Sequence, residues 1–160
     1  MQTIVSLDIG TSVIKCVLFD KKFKQLKIFS EKNIVKYNNS GHSEVSMTKL
    51  WSICKILLIE TIKYSKKNNY NILCIGLTAN MVGLYPIDPN GNPVRNGILW
   101  NDSRTSELMN KMKSENIRIY EEIFSISGSV MQLGCTIPLA KWYYEYEKPL
   151  FKKTKWILNC

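Results

Sequence analysis

Apolar, β-branched runs separated by short polar breaks dominate the first part of the chain; helical spacing becomes more frequent later. The runs Ile4-Val5-Ser6-Leu7-Asp8-Ile9 and Val13-Ile14-Lys15-Cys16-Val17-Leu18-Phe19-Asp20 flank a Gly10-Thr11-Ser12 break. This pattern predicts two strands joined by a hairpin turn. A third strand is expected over 26–36, which gives an antiparallel start, followed by a polar loop over 37–44. Ser46 can cap a helix over 47–67 with Leu50, Cys54, Leu57, Leu58 and Ile62 on one face. Its closing Lys66 and Lys67 suit the negative end of the helix dipole. The short apolar run at 72–78 predicts a buried strand, and 81–87 another. Asp88-Pro89-Asn90-Gly91-Asn92-Pro93 is a strong turn signal. Asp102 or Ser103 can cap a helix to 114, 119–126 reads as helix stopping near Gly128, and Thr136-Ile137-Pro138 opens a helix ending near Pro149. A last strand begins at 156–158. The order predicts one mixed α/β domain, with no internal repeat and no low-complexity linker.

Composition narrows the function. The chain is 45% hydrophobic, enough for a packed core. Net charge is +9, but only Arg95, Arg104 and Arg118 are arginines and the lysines are scattered. That distribution argues for solvated lysines rather than a nucleic-acid stripe, and its positive field suits anionic nucleotides. The five cysteines, Cys16, Cys54, Cys74, Cys135 and Cys160, are odd in number and far apart. They read as reduced, buried thiols in a cytoplasmic protein. His42 is the only histidine, which excludes a histidine-rich metal site. No apolar run approaches the roughly 20 residues needed to span a membrane, and no signal-peptide pattern opens the chain.

The first turn carries the clearest chemistry. It offers closely spaced backbone N–H groups, a glycine that admits a ligand close to the backbone, and the hydroxyls of Thr11 and Ser12. These are the parts of a phosphate cradle. Asp8 stands at its rim, where a carboxylate can hold Mg²⁺ directly or through water. An ordinary hairpin with Asp8 accepting turn hydrogen bonds fits the same residues. The Walker and dinucleotide-binding glycine patterns are absent.

Several segments in register resemble the FGGY family of carbohydrate kinases. They are Leu7-Asp8-Ile9-Gly10-Thr11-Ser12 with Lys15 and Phe19-Asp20; Gly41-His42-Ser43-Glu44 with Leu50-Trp51; and Ile75-Gly76-Leu77-Thr78-Ala79-Asn80-Met81-Val82-Gly83. Asp88 to Val94, Ile98-Leu99-Trp100-Asn101-Asp102-Ser103-Arg104-Thr105, Ser127-Gly128 and Pro138-Leu139-Ala140-Lys141-Trp142 complete the set. The block from Trp100 to Thr105 behind the Asp-Ile-Gly-Thr-Ser turn is the most specific. An actin- or chaperone-like ATPase domain would share the hairpin but leaves that block unexplained.

The resemblance implies an RNase H-like domain of the actin and hexokinase type, with three antiparallel strands first and alternating helices and strands after. It implies ATP-dependent phosphorylation of a sugar or polyol hydroxyl, with ATP and Mg²⁺ as cofactors, and a possible homodimer in a full-length form. Family members are much longer, so residues 1–160 correspond to a partial N-terminal kinase domain. The C-terminal domain, the adenosine pocket and the catalytic base are expected beyond residue 160. The alternative is an inactive sugar- or nucleotide-binding remnant of such a kinase.

By the same resemblance Asp8 orients the metal, Gly10, Thr11 and Ser12 line the phosphates, and Lys15 is either a phosphate contact or a surface lysine. Asn80 and Met81 lie at the sugar. Asn101 or Asp102 points at the sugar, or Asp102 caps a helix and pairs with Arg104. Trp100 can pack against a sugar face but is expected in the core, and His42 and Glu44 are expected as loop anchors or a solvated loop. Val82 replaces a histidine of the family's sugar loop, which removes one hydrogen bond to a hydroxyl.

Overall fold

The computed structural model describes residues 1–160, which divide into two compact units. One comprises 1–35 and 48–80; the other comprises 36–47 and 81–160.

In the first unit β1 (Gln2–Ile9), β2 (Val13–Asp20), β3 (Gln25–Lys32) and β6 (Asn71–Ala79) form a sheet in the order β3-β2-β1-β6. The first three strands are antiparallel, as expected, and β6 runs parallel to β1. Strand alternation sends Thr3, Val5 and Leu7 of β1 and Ile14, Cys16 and Leu18 of β2 into the core. The helix α1 (Met47–Lys67) connects the antiparallel strands to β6 and buries Leu50, Cys54, Leu57, Thr61 and Ser65. This stripe departs from the expected one: Ile62 is 38% exposed, and polar Thr61 and Ser65 take the inner positions. Each satisfies its hydroxyl on the carbonyl four residues back, Thr61 to Leu57 at 2.8 Å and Ser65 to Thr61 at 2.9 Å. Thr61 also bonds the Cys16 thiol at 3.1 Å. Tyr64 meets the Phe29 ring of β3 edge-on at 6.1 Å.

The second unit holds two small sheets. β4 (Val35–Tyr37), β5 (Ser43–Val45) and β8 (Gly97–Ile98) form one in the order β4-β5-β8, and β7 (Tyr85–Ile87) pairs antiparallel with β9 (Trp156–Leu158). Around them lie α2 (Ser106–Glu115), α3 (Arg118–Ser127), α4 (Thr136–Tyr146) and α5 (Lys148–Phe151). Leu84, Ile98, Leu139 and Tyr143 form one buried cluster; Leu108, Met109, Met112 and Met131 form another.

Five expectations need correction. The expected third strand breaks at Asn33-Ile34 into β3 and β4, and the expected loop over 37–44 contains the start of β5. The expected strand over 81–87 is regular only at 85–87, because Val82 (φ 53°) and Gly83 (φ 95°) lie in the left-handed region. Neither Asp102 nor Ser103 caps α2: the cap position is Thr105, and it makes no side-chain cap bond. All five cysteines are free, but only Cys16 and Cys54 are buried.

Candidate functional site

Two groups of candidate residues form, one in each unit. In the first, β1 and β2 stay in register as far as Ile9 opposite Ile14, so the chain reverses through Gly10, Thr11 and Ser12. A β-carbon on Gly10 would lie 2.6 Å from the Val13 carbonyl oxygen, so no other residue fits that turn undistorted. Three donors hold the turn's carbonyls. The Asn80 N–H donates to Ile9 O at 3.0 Å, the Asn33 N–H to Ser12 O at 2.9 Å, and Asn33 Nδ2 to Gly10 O at 3.1 Å.

Register places a polar row beside this turn. Asp8 is directly opposite Lys15 on β2, Lys15 opposite Ser30 on β3, and Asp8 opposite Thr78 on β6. Direct cross-strand partners share a face, so Thr78, Asp8, Lys15 and Ser30 run across one face of the sheet. It is the face away from α1, since their neighbours Leu7 and Cys16 point into the core. Asp8 is half-buried and Lys15 exposed. The structure thus groups Asp8, Gly10, Thr11, Ser12 and Lys15, and it adds Ser30, Thr78 and Asn33, which sequence reasoning passed over. Alternation along correctly paired strands would have found Ser30 and Thr78. Asn33 was hidden inside an expected strand.

In the second unit the loop after β8 carries the other candidates. Asp102 is 1% exposed, and both its oxygens are engaged. Oδ1 accepts from Arg104 Nε at 2.8 Å and from the Arg104 N–H at 2.9 Å; Oδ2 accepts from an Arg104 terminal nitrogen at 2.9 Å and from the Ser43 N–H at 2.6 Å. The pairing with Arg104 is thus present without the helix cap. Arg104 continues to Glu44 at 2.7 Å, Glu44 also pairs with Arg95, and Arg95 reaches Glu147 at 2.6 Å. Arg104 stacks over Trp142 at 4.8 Å. Glu44 is therefore a loop anchor and not part of a solvated loop. Burial pushes its pKa up, but the Arg104 hydrogen bond, the charges of Arg95 and Arg104 and the Asn96 amide outweigh burial and leave it below the ordinary value.

This network fixes a loop whose neighbouring side chains are open. Trp100, expected in the core, is 51% exposed, and Asn101 is exposed beside it. With Asp102, Ser103, Gln132, Leu133 and Gly134 they line a recess of about 230 Å³. Thr105 Oγ1 donates to Leu133 O at 2.7 Å and so ties the two walls together. Met81 is 81% exposed. Val82, a β-branched residue at positive φ, carries strain of about 1–2 kcal/mol.

The family model described as the N-terminal domain of the FGGY family of carbohydrate kinases matches residues 3–160. A xylulose kinase of Staphylococcus xylosus is 30% identical over 156 residues, covering 96% of this chain and 31% of that protein. A glycerol kinase of Francisella philomiragia is 30% identical over 143 residues, covering 88% of this chain and 28% of that protein. The chain thus spans under a third of the length of these two relatives. The solved xylulose kinase of Rhodospirillum rubrum superposes with a TM-score of 0.90 at 16% identity, over 98% of this chain and 32% of that one. This likeness shows the shared sugar-kinase fold.

Proposed function

The chain belongs to the FGGY family of carbohydrate kinases, and from that premise we propose that it carries the phosphate-binding turn and part of the sugar site of an ATP-dependent kinase. Its acceptor is the hydroxyl of a sugar or small polyol, and its compartment is the cytoplasm. The observation that supports this reading best is the polar row Thr78–Asp8–Lys15–Ser30 beside the held Gly10–Ser12 turn.

Phosphoryl transfer is mostly positioning and charge neutralisation. The turn's amides and the hydroxyls of Thr11 and Ser12 cradle the β- and γ-phosphates, with Lys15 as a counter-charge. Asp8 holds Mg²⁺. No group of three or more metal-ligating side chains is present, and a lone carboxylate suits this ion, which keeps several waters and takes its remaining ligands from phosphate oxygens. When bound, the ion neutralises charge on the transferring phosphoryl group. Asn80 and Asn101 offer amides to sugar hydroxyls, Met81 offers an apolar wall, and Asp102 contributes by holding its loop.

A chimera tests the reading: this chain replaces the matching part of the Staphylococcus xylosus xylulose kinase, and ADP release is followed with a panel of ketoses and polyols. The expected result is sugar-dependent turnover that Asp8→Ala abolishes. A folded chimera that binds sugar or nucleotide but turns over nothing would favour the inactive remnant, and one that binds neither would refute both.

A further inference from the structure

The held turn assigns a role to a residue outside the family-like segments. A trans peptide is planar, with its C=O and N–H pointing in opposite directions, and the chain has no cis peptide. Fixing a carbonyl therefore aims the N–H of the next residue. Asn80 N–H on Ile9 O sets the Gly10 N–H, and Asn33 Nδ2 on Gly10 O sets the Thr11 N–H, so that it points away from Asn33. The two pegs differ in kind. Asn80 uses its backbone, which any residue but proline supplies; on Gly10 O, Asn33 uses its side-chain amide.

We propose that Asn33 is a positioning residue for phosphate binding, a side-chain peg on Gly10 O that orients the Thr11 amide toward an anionic oxygen. This rests on the phosphate reading of the turn. Asn33 sits in the break between β3 and β4, half-buried, with its backbone N–H on Ser12 O at 2.9 Å. That backbone bond survives substitution, so the sheet persists when the peg is removed. An amide serves where a carboxylate fails, since a carboxylate has no proton to give Gly10 O and would repel the phosphate.

The test uses the ¹⁵N-labelled 160-residue chain and the Mg²⁺ complex of inorganic tripolyphosphate as probe. In the unaltered chain the Gly10, Thr11 and Ser12 amide signals should shift on titration. Asn33→Ala should weaken binding at least fivefold and lower the order parameters of Thr11 and Ser12 toward about 0.6, the level of flexible backbone. The α1 signals and melting temperature should stay unchanged. Asn33→Asp, of the same shape, should bind more weakly still, and Asn33→His, whose ring N–H can donate, should recover part of the loss. If the unaltered chain binds and Asn33→Ala binds within twofold of it, the positioning role is wrong and the phosphate reading stands. Weakened binding that comes with loss of the β1 and β2 signals in both Asn33→Ala and Asn33→Asp would make Asn33 merely structural and would also overturn the proposal. If the unaltered chain shows no shift in the turn, the phosphate reading fails and the proposal fails with it.

Discussion

Glu44 accepts from Arg95, Arg104 and Asn96 in one place, and its fractional side-chain exposure is only 22%. Its folded-state pKa lies below the ordinary value of 4.5. The unfolded chain therefore binds a proton there more readily than the native one. The stabilisation is complete above pH 4.5 and is lost as pH falls through Glu44's own lower pKa. Glu44→Gln leaves Arg95 with Glu147 and Arg104 with Asp102, so the loss should be partial, about 2 kcal/mol at neutral pH. Urea unfolding followed from neutral pH down through this range should show that loss and a flatter acid limb. An unchanged acid limb would mean that Glu44 is not the titrating group. None of this is readable from Gly41-His42-Ser43-Glu44 alone, because the partners Arg95, Arg104 and Glu147 lie some fifty residues or more away in sequence.

The turn before α4 shows how an element is held by a missing side chain. A β-carbon on Gly134 would lie 1.6 Å from Trp100 O, so the two backbones touch. The same turn receives the Gly83 N–H on Gly134 O at 3.1 Å, and Thr136 Oγ1 donates to Gly83 O at 2.8 Å. Gly134→Ala must push the Trp100 loop away and break these bonds together. The expected cost is about 3 kcal/mol or more, visible as a lower urea midpoint and altered tryptophan fluorescence. A midpoint within error of the unaltered chain would show that the loop yields freely. Helix existence was legible here from periodicity and from Pro138. The packing of the glycine was not, since no local pattern encodes contact with a backbone thirty-four residues earlier.

At the scale of the whole molecule the first unit leaves one strand uncovered. In register with β1, Ile75 lies beside Val5 and Leu7's partner is Leu77, so both face the side that α1 covers over β1 and β2. Yet Ile75 is 47% exposed and Leu77 73% exposed. Residues 72–78 form the strand that their apolar run predicts, but it is largely exposed where burial was expected. A parallel strand with an open edge and apolar faces is prone to self-association. Leu77→Lys should lower the light-scattering mass of concentrated solutions toward that of one chain. Stability should change by no more than about 0.5 kcal/mol, because the side chain is mostly in solvent. An equal mass for both chains would place any association elsewhere.

Local patterns in the chain suffice for the elements and for the chemistry that depends on near neighbours: the antiparallel start, the Gly10–Ser12 turn with Asp8 at its rim, α1 and the helices after Thr105. Each rests on periodicity or on a turn, and both act over a few residues. Tertiary structure alone decided which polar groups are consumed and which remain open. Asp102 and Asn101 are adjacent, and composition cannot separate them. Folding buries one against Arg104 and Ser43 and leaves the other exposed at the recess. Likewise Thr61 and Ser65 lie inside and Ile62 partly outside, because the helix keeps its 3.6-residue period and their hydroxyls can bond back to its own carbonyls. Register, which depends on strands far apart in sequence, set Thr78 and Ser30 beside Asp8 and Lys15.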